Sequence, residues 1–192
     1  AVSRGETVLI SGATGSGKTS LARALLEHVP RHERIIALED TPELRPKHPH
    51  FVALQSRPAN ADGFGEVTLR SLFKQTLRMR PDRIVLGECR GAEVLELLQA
   101  INTGHRGSMA TIHANSSRDA LRRIEILALL SAGEALPRDA LREWVAAGLD
   151  WLVHVGRLPD GSRRVRQIER VAGIESGTIL LRPVDWGGSP VL

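Results

Sequence analysis

A chain of 192 residues with 42 % hydrophobic and 25 % charged residues can bury the core of one domain, and no apolar run reaches the roughly 18–20 residues of a membrane span. The net charge of +4 raises a nucleic-acid reading, but the basic residues are spread along the chain. With 3 % aromatics and no Tyr there is also no stacking platform for bases, so no nucleic-acid partner is expected.

Taken in chain order, apolar strands alternate with amphipathic helices, which predicts an α/β fold with a mainly parallel sheet. Strands are expected at residues 6–10, 35–38, 51–54, 83–86 and 108–112. Helices are expected at 18–28, 68–79, 92–102, 117–130 and 137–148. The last third changes character: 151–155, 163–171 and 178–181 read as short strands joined by Gly-containing turns, pairing antiparallel at one sheet edge. One or both of the long polar connections at 42–50 and 57–65 are expected near the site. The whole chain, 1–192, reads as one domain, with core motifs over about 1–130 and the C-terminal helix and strands over 131–192. The single Cys89 follows an apolar strand; it excludes an internal disulfide, reads as a core thiol and fits a reducing cytoplasm.

The first strand runs into Gly12-Ala13-Thr14-Gly15-Ser16-Gly17-Lys18-Thr19-Ser20, which contains the phosphate-binding P-loop pattern G-x-x-x-x-G-K-[ST]. Glycines let backbone N–H groups curl around phosphate oxygens, and the next helix points its positive end at the same anion. Lys18 is expected to neutralise the terminal phosphates, and the Thr19 hydroxyl to ligate Mg²⁺. ATP with Mg²⁺ is the expected ligand pair.

A P-loop enzyme usually has a second apolar strand ending in Asp, which holds Mg²⁺. Here Ile84-Val85-Leu86 ends in Gly87-Glu88, so the Asp position is empty and Glu88 remains. A second source of negative charge is Glu39, ending Ile35-Ile36-Ala37-Leu38. Parallel strands present their carboxyl ends on one edge, so one of these glutamates can hold hydrated Mg²⁺ while the other orients the attacking water. Asp40, beside Thr41-Pro42, reads equally as a turn residue or a functional one. His113 ends the strand at 108–112 on the same edge, where an imidazole can donate to the γ-phosphate. His105 sits at that strand's other end and reads as structural or as a subunit contact.

Four blocks stand in order: the P-loop, Leu38-Glu39-Asp40-Thr41-Pro42-Glu43, Gly87-Glu88-Cys89-Arg90-Gly91, and Thr103-Gly104-His105 through His113-Ala114-Asn115. Together they resemble the Walker A, Asp box, atypical Walker B and His box of bacterial type II and type IV secretion and pilus ATPases. Arg78-Met79-Arg80-Pro81-Asp82-Arg83-Ile84, with Asn102-Thr103-Gly104-His105 and Ala110-Thr111-Ile112-His113-Ala114-Asn115-Ser116, is most similar to the Tad/Flp (Cpa-type) pilus assembly ATPases. The type IV secretion traffic ATPases are close behind. The resemblance covers residues 5–126 well and the tail weakly.

This resemblance implies a RecA-like ATPase domain of a hexameric motor, cytoplasmic and docked on an inner-membrane platform protein. It implies Glu39 as the water-activating base, Glu88 holding Mg²⁺ through water, and His113 on the γ-phosphate. Family members also carry an N-terminal domain that gives arginines to the nucleotide. The chain, starting at Ala1, reads as the C-terminal piece without it, with low activity expected, since a missing arginine finger costs roughly 10³–10⁵ in rate. Arg78, Arg80 and Arg90 are candidates for contacts across a subunit boundary, or simply for surface ion pairs. Three other readings stand beside this one: a small-molecule P-loop kinase, a nucleotide-gated scaffold that hardly turns over, and a DNA translocase.

Overall fold

The structure is a computed structural model that describes residues 1–133, 136–185 and Gly187. Its centre is made by the most apolar runs of the sequence. The strands β1 (Val8–Ser11), β2 (Ile35–Glu39), β4 (Arg83–Leu86) and β5 (Met109–Ile112) have every residue buried. Strands buried on both faces are the mark of a parallel sheet covered by helices on either side. β3 (Phe51–Gln55) is only half-buried, as its edge position requires. Helices α1 (Lys18–Leu26), α2 (Leu69–Thr76), α3 (Glu93–Asn102), α4 (Ser117–Ala132) and α5 (Arg138–Gly148) fall where the 3.6-residue periodicity places them. Two caps are explicit: Thr68 accepts from the Ser71 N–H, and Ser116 from the Asp119 N–H.

Strands β6 (Trp151–Arg157), β7 (Arg163–Glu175) and β8 (Thr178–Pro183) complete the sheet, in the order β3-β2-β4-β5-β1-β6-β7-β8. The last three pair antiparallel with one another, as expected. Their junction with the rest is finer than the expectation: β6 itself runs parallel to β1, with Leu9 opposite Leu152 and Ser11 opposite His154. The meander is thus anchored beside the strand that leads into the P-loop.

Two apolar layers sandwich the sheet. One holds Phe73 of α2, Leu97 and Leu98 of α3, Leu121 and Ile124 of α4, and Leu141 and Val145 of α5. The other holds Ala22 and Leu26 of α1 with Val29, Leu44 and Val155. Cys89 belongs to the first layer at 2 % exposure, and burial pushes its thiol well above the ordinary range, so it is a core thiol as expected.

The amino edge of the sheet is closed by Arg83, only 4 % exposed, which is ion-paired with Glu33 and donates to the Gly107 carbonyl at 3.2 Å. The turn holding His105 packs at this edge, away from the P-loop, with the His105 N–H on the Ala100 carbonyl at 3.0 Å. Arg78 and Arg80 are exposed in the turn that enters β4, on the same far edge. The P-loop, Glu39, Glu88 and His113 all lie at or just past strand ends on the opposite, carboxyl edge, where α/β sheets bind ligands.

Candidate active site

The turn out of β1 is tight because Val155 of the neighbouring strand presses on it. A Cβ built on Gly12 would lie 2.4 Å from the Val155 carbonyl oxygen and 2.5 Å from Ser16 Oγ, so only glycine fits. Gly12→Ala is expected to destabilise the fold by about 1–3 kcal/mol, since backbone atoms cannot give way cheaply. Thermal denaturation measures this as a fall in Tm of about 2–4 °C per kcal/mol. Gly17 caps α1 at φ +99°, a left-handed conformation that a side chain would strain.

Lys18 is buried at the first position of α1, its Nζ 3.0 Å from both the Gly12 and the Ala13 carbonyl oxygens. Burial is the main force lowering its pKa, opposed by the Glu88 charge. The ammonium is thus folded back on its own loop. Ser16 Oγ is buried there with no hydrogen-bond partner. Thr14, Gly15, Lys18 and Thr19 line the adjoining cavity of about 250 Å³; Ser20 is exposed on α1 and does not.

Glu39, 3 % exposed, enters the cavity from the end of β2. Its Oε1 accepts the N–H groups of Glu43 and Leu44, both at 2.9 Å, so the connection after β2 clamps one carboxylate oxygen. Its Oε2 is buried without a hydrogen-bond partner. Burial raises the pKa, and the two N–H bonds pull against it. Gly87 explains why no Asp precedes Glu88: a Cβ there would meet Glu39 Cγ at 3.0 Å and the Leu38 carbonyl at 3.2 Å. Glu39 fills the space that a side chain at residue 87 would take.

Glu88 is ion-paired with Arg90, and its Oε1 lies 2.5 Å from His113 Nε2 without hydrogen-bonding alignment. Arg90 also reaches Asp40 Oδ2 at 3.3 Å, and Asp40 Oδ1 accepts from Ser56 Oγ at 2.6 Å. His113 Nδ1 is 3.4 Å from Thr14 Oγ1, so His113 ties the tip of the P-loop to Glu88. The cavity therefore gathers Lys18, Thr19, Glu39, Glu88 and His113, with Arg90 and Asp40 at its rim. Among the described residues no group of three His, Cys, Asp or Glu side chains holds a metal by itself. A hydroxyl from Thr19 and one carboxylate from Glu88 instead suit Mg²⁺ carried by phosphates, which takes one or two protein ligands and keeps its waters. Glu88, which lines the cavity, is placed for that role.

A family model described as type II/IV secretion system protein matches residues 2–146. This chain belongs to that family. A Mycobacterium tuberculosis conjugal transfer protein is 51 % identical over 160 residues, covering 83 % of this chain and 45 % of that protein. The type IV secretion system protein VirB11 of Bartonella quintana is 38 % identical over 164 residues, 85 % of this chain and 46 % of the relative. The solved structure of the Brucella suis VirB11 ATPase superposes with a TM-score of 0.78 at 34 % identity, covering 88 % of this chain and 49 % of that one. The chain spans about half the length of the curated relatives it matches.

Sequence reasoning about this secretion-family site missed Arg90 as a member of the cavity and left Asp40 undecided. The Arg90 signal was its place two residues past Glu88, on the carboxyl edge. Thr111 was also missed; its Oγ1 donates to the Gly87 carbonyl at 2.5 Å, holding that turn. His113 carries a further expectation. Burial, then Lys18, Arg90 and Arg123, lower its pKa below 6.5, while Glu88 raises it. The imidazole therefore holds its proton less readily than a free histidine. Glu88→Gln removes the raising charge and should move the midpoint lower still, measured by histidine-resolved NMR; an upward move contradicts this electrostatic arrangement.

Proposed function

We propose that the chain is the ATP-hydrolysing domain of a secretion or pilus-assembly motor. The observation that carries this is the convergence of Lys18, Glu39, Glu88 and His113, from four separate strand ends, on one cavity beside the P-loop. In this reading Lys18 exchanges its two loop carbonyls for the β- and γ-phosphate oxygens, joined by the N–H groups that open α1. Glu39 takes the proton of the attacking water on Oε2, while Oε1 stays clamped by the Glu43 and Leu44 N–H groups. The raised pKa of Glu39 suits a group that must accept a proton. His113 donates to a γ-phosphate oxygen and reports its presence to Glu88 and Thr14. Thr19 and Glu88, the latter through water, would hold Mg²⁺, which supplies charge neutralisation of the β- and γ-phosphates.

The full motor is read as a hexameric ring, cytoplasmic and docked on an inner-membrane platform protein, with a further domain preceding residue 1. Among the described residues no helix is long and apolar enough to cross a membrane. The conjugal-transfer and VirB11 relatives favour a type IV secretion traffic role, beside the Tad/Flp pilus role that the motif wording favours. Phosphate release tests the reaction: with MgATP and no acceptor, the chain should produce inorganic phosphate slowly but above the uncatalysed rate. Phosphate transfer only on addition of a small-molecule acceptor would establish the kinase reading instead, and tight nucleotide binding with no release would establish the scaffold.

A further inference from the structure

Four of the basic residues that look dispersed in the sequence converge on a second cavity that shares no lining residue with the first. Arg118 and Arg122 on α4 and Arg138 and Arg142 on α5 line a second cavity of about 390 Å³, closed at one end by the start of β8. Two of these arginines are held in place. Arg118 Nη1 donates to the Ile179 carbonyl at 2.5 Å, and Arg142 reaches Glu125 at 3.4 Å and Asp139 at 3.6 Å. Arg122 and Arg138 are exposed and, among the described residues, their side chains have no hydrogen bond or ion pair. Four guanidinium groups thus share the concavity with one carboxylate, Glu125, a local excess of positive charge that an anionic partner would offset.

The groove is not purely polar. Ile126, 44 % exposed, stands on the same α4 stripe as Arg118 and Arg122, four residues apart in turn, and lies in the cavity wall. An apolar contact flanked by paired, pre-positioned arginines matches a peptide that carries both carboxylates and an aliphatic side chain. A nucleic acid is a poorer match, because the wall offers no aromatic ring for a base. A flat lipid surface is a poorer match too, because the charges line a concavity. The chain's own residues 186–192 are no match either, since they contain no Asp or Glu.

We propose that the groove between α4, α5 and the start of β8 is a docking site for an acidic, partly apolar peptide segment of a partner protein. Because α4 begins at Ser117, just past His113, a peptide held on α4 sits on the helix that leaves the nucleotide cavity. Docking and nucleotide state can therefore influence one another through α4.

The test uses the 192-residue chain and a short fluorescein-labelled peptide of Glu and Leu, followed by anisotropy. The peptide should bind, weaken as salt rises, and be ignored when Lys replaces its Glu. Arg122→Glu with Arg138→Glu should weaken binding at least about tenfold while Tm and ATP binding stay unchanged. Arg23→Glu with Arg31→Glu, an equal charge change on the other side of the sheet, should leave binding intact. No binding of the Glu/Leu peptide, or equal loss in both double variants, overturns the proposal. So does a result in which the Arg122/Arg138 reversal abolishes binding of a single-stranded oligonucleotide or of phosphatidylglycerol vesicles but leaves the peptide bound.

Discussion

Lys18→Ala should lower ATP affinity by roughly 10- to 100-fold, the cost of a lost charge-assisted contact to phosphate of about 1.5–3 kcal/mol. The fold should survive, because Nζ bonds only to two loop carbonyls, Gly12 and Ala13, whose backbone remains in place. Isothermal titration with ATP and a parallel melting curve measure the two quantities separately. An unchanged affinity would mean that the P-loop of this chain does not carry the phosphates.

The two glutamates should separate binding from chemistry. Glu39→Gln and Glu88→Gln are each expected to lower phosphate release by about 10²–10³, the range seen when one group that stabilises or activates the reacting atoms is removed. Nucleotide binding should persist in both. They differ in their pH behaviour. The Glu39 carboxylate is active only when deprotonated, and burial raises its pKa, so wild-type hydrolysis should fall on acidification at a higher pH than an ordinary carboxylate would dictate. Glu39→Gln should flatten that limb, whereas Glu88→Gln should keep it while scaling the rate down. Normal hydrolysis by Glu88→Gln would refute the assignment of that residue. A steep acid limb retained in Glu39→Gln would remove Glu39 as the base.

Much of this was legible before any coordinates. The helices follow the 3.6-residue periodicity and the central strands the continuous apolar runs, and the parallel arrangement brings residues 18, 39, 88 and 113 to one edge by topology alone. Legibility stops where contacts depend on how loops far apart in sequence meet. That Arg90 bridges Glu88 and Asp40 requires the turns after β2 and β4 to approach side by side. The absence of a side chain at Gly87 looked like a missing ligand; it is the space in which Glu39 packs. The arginines of α4 and α5 read as scattered, because only the packing of these two helices against each other and the β8 end collects them into one groove. Likewise β6 has the composition of an edge meander, and its parallel seat beside β1 appears only in the register.

The central claim is that this cavity holds a nucleoside triphosphate in position for hydrolysis. A crystal structure of the chain with Mg²⁺ and a non-hydrolysable ATP analogue tests it most directly. The account predicts that Lys18 Nζ leaves the Gly12 and Ala13 carbonyls for the β- and γ-phosphates, that Arg90 releases Glu88, and that Glu39 Oε2 faces the γ-phosphorus through one water. A nucleotide bound elsewhere, or Lys18 still on its loop carbonyls with Glu39 turned away, would contradict it.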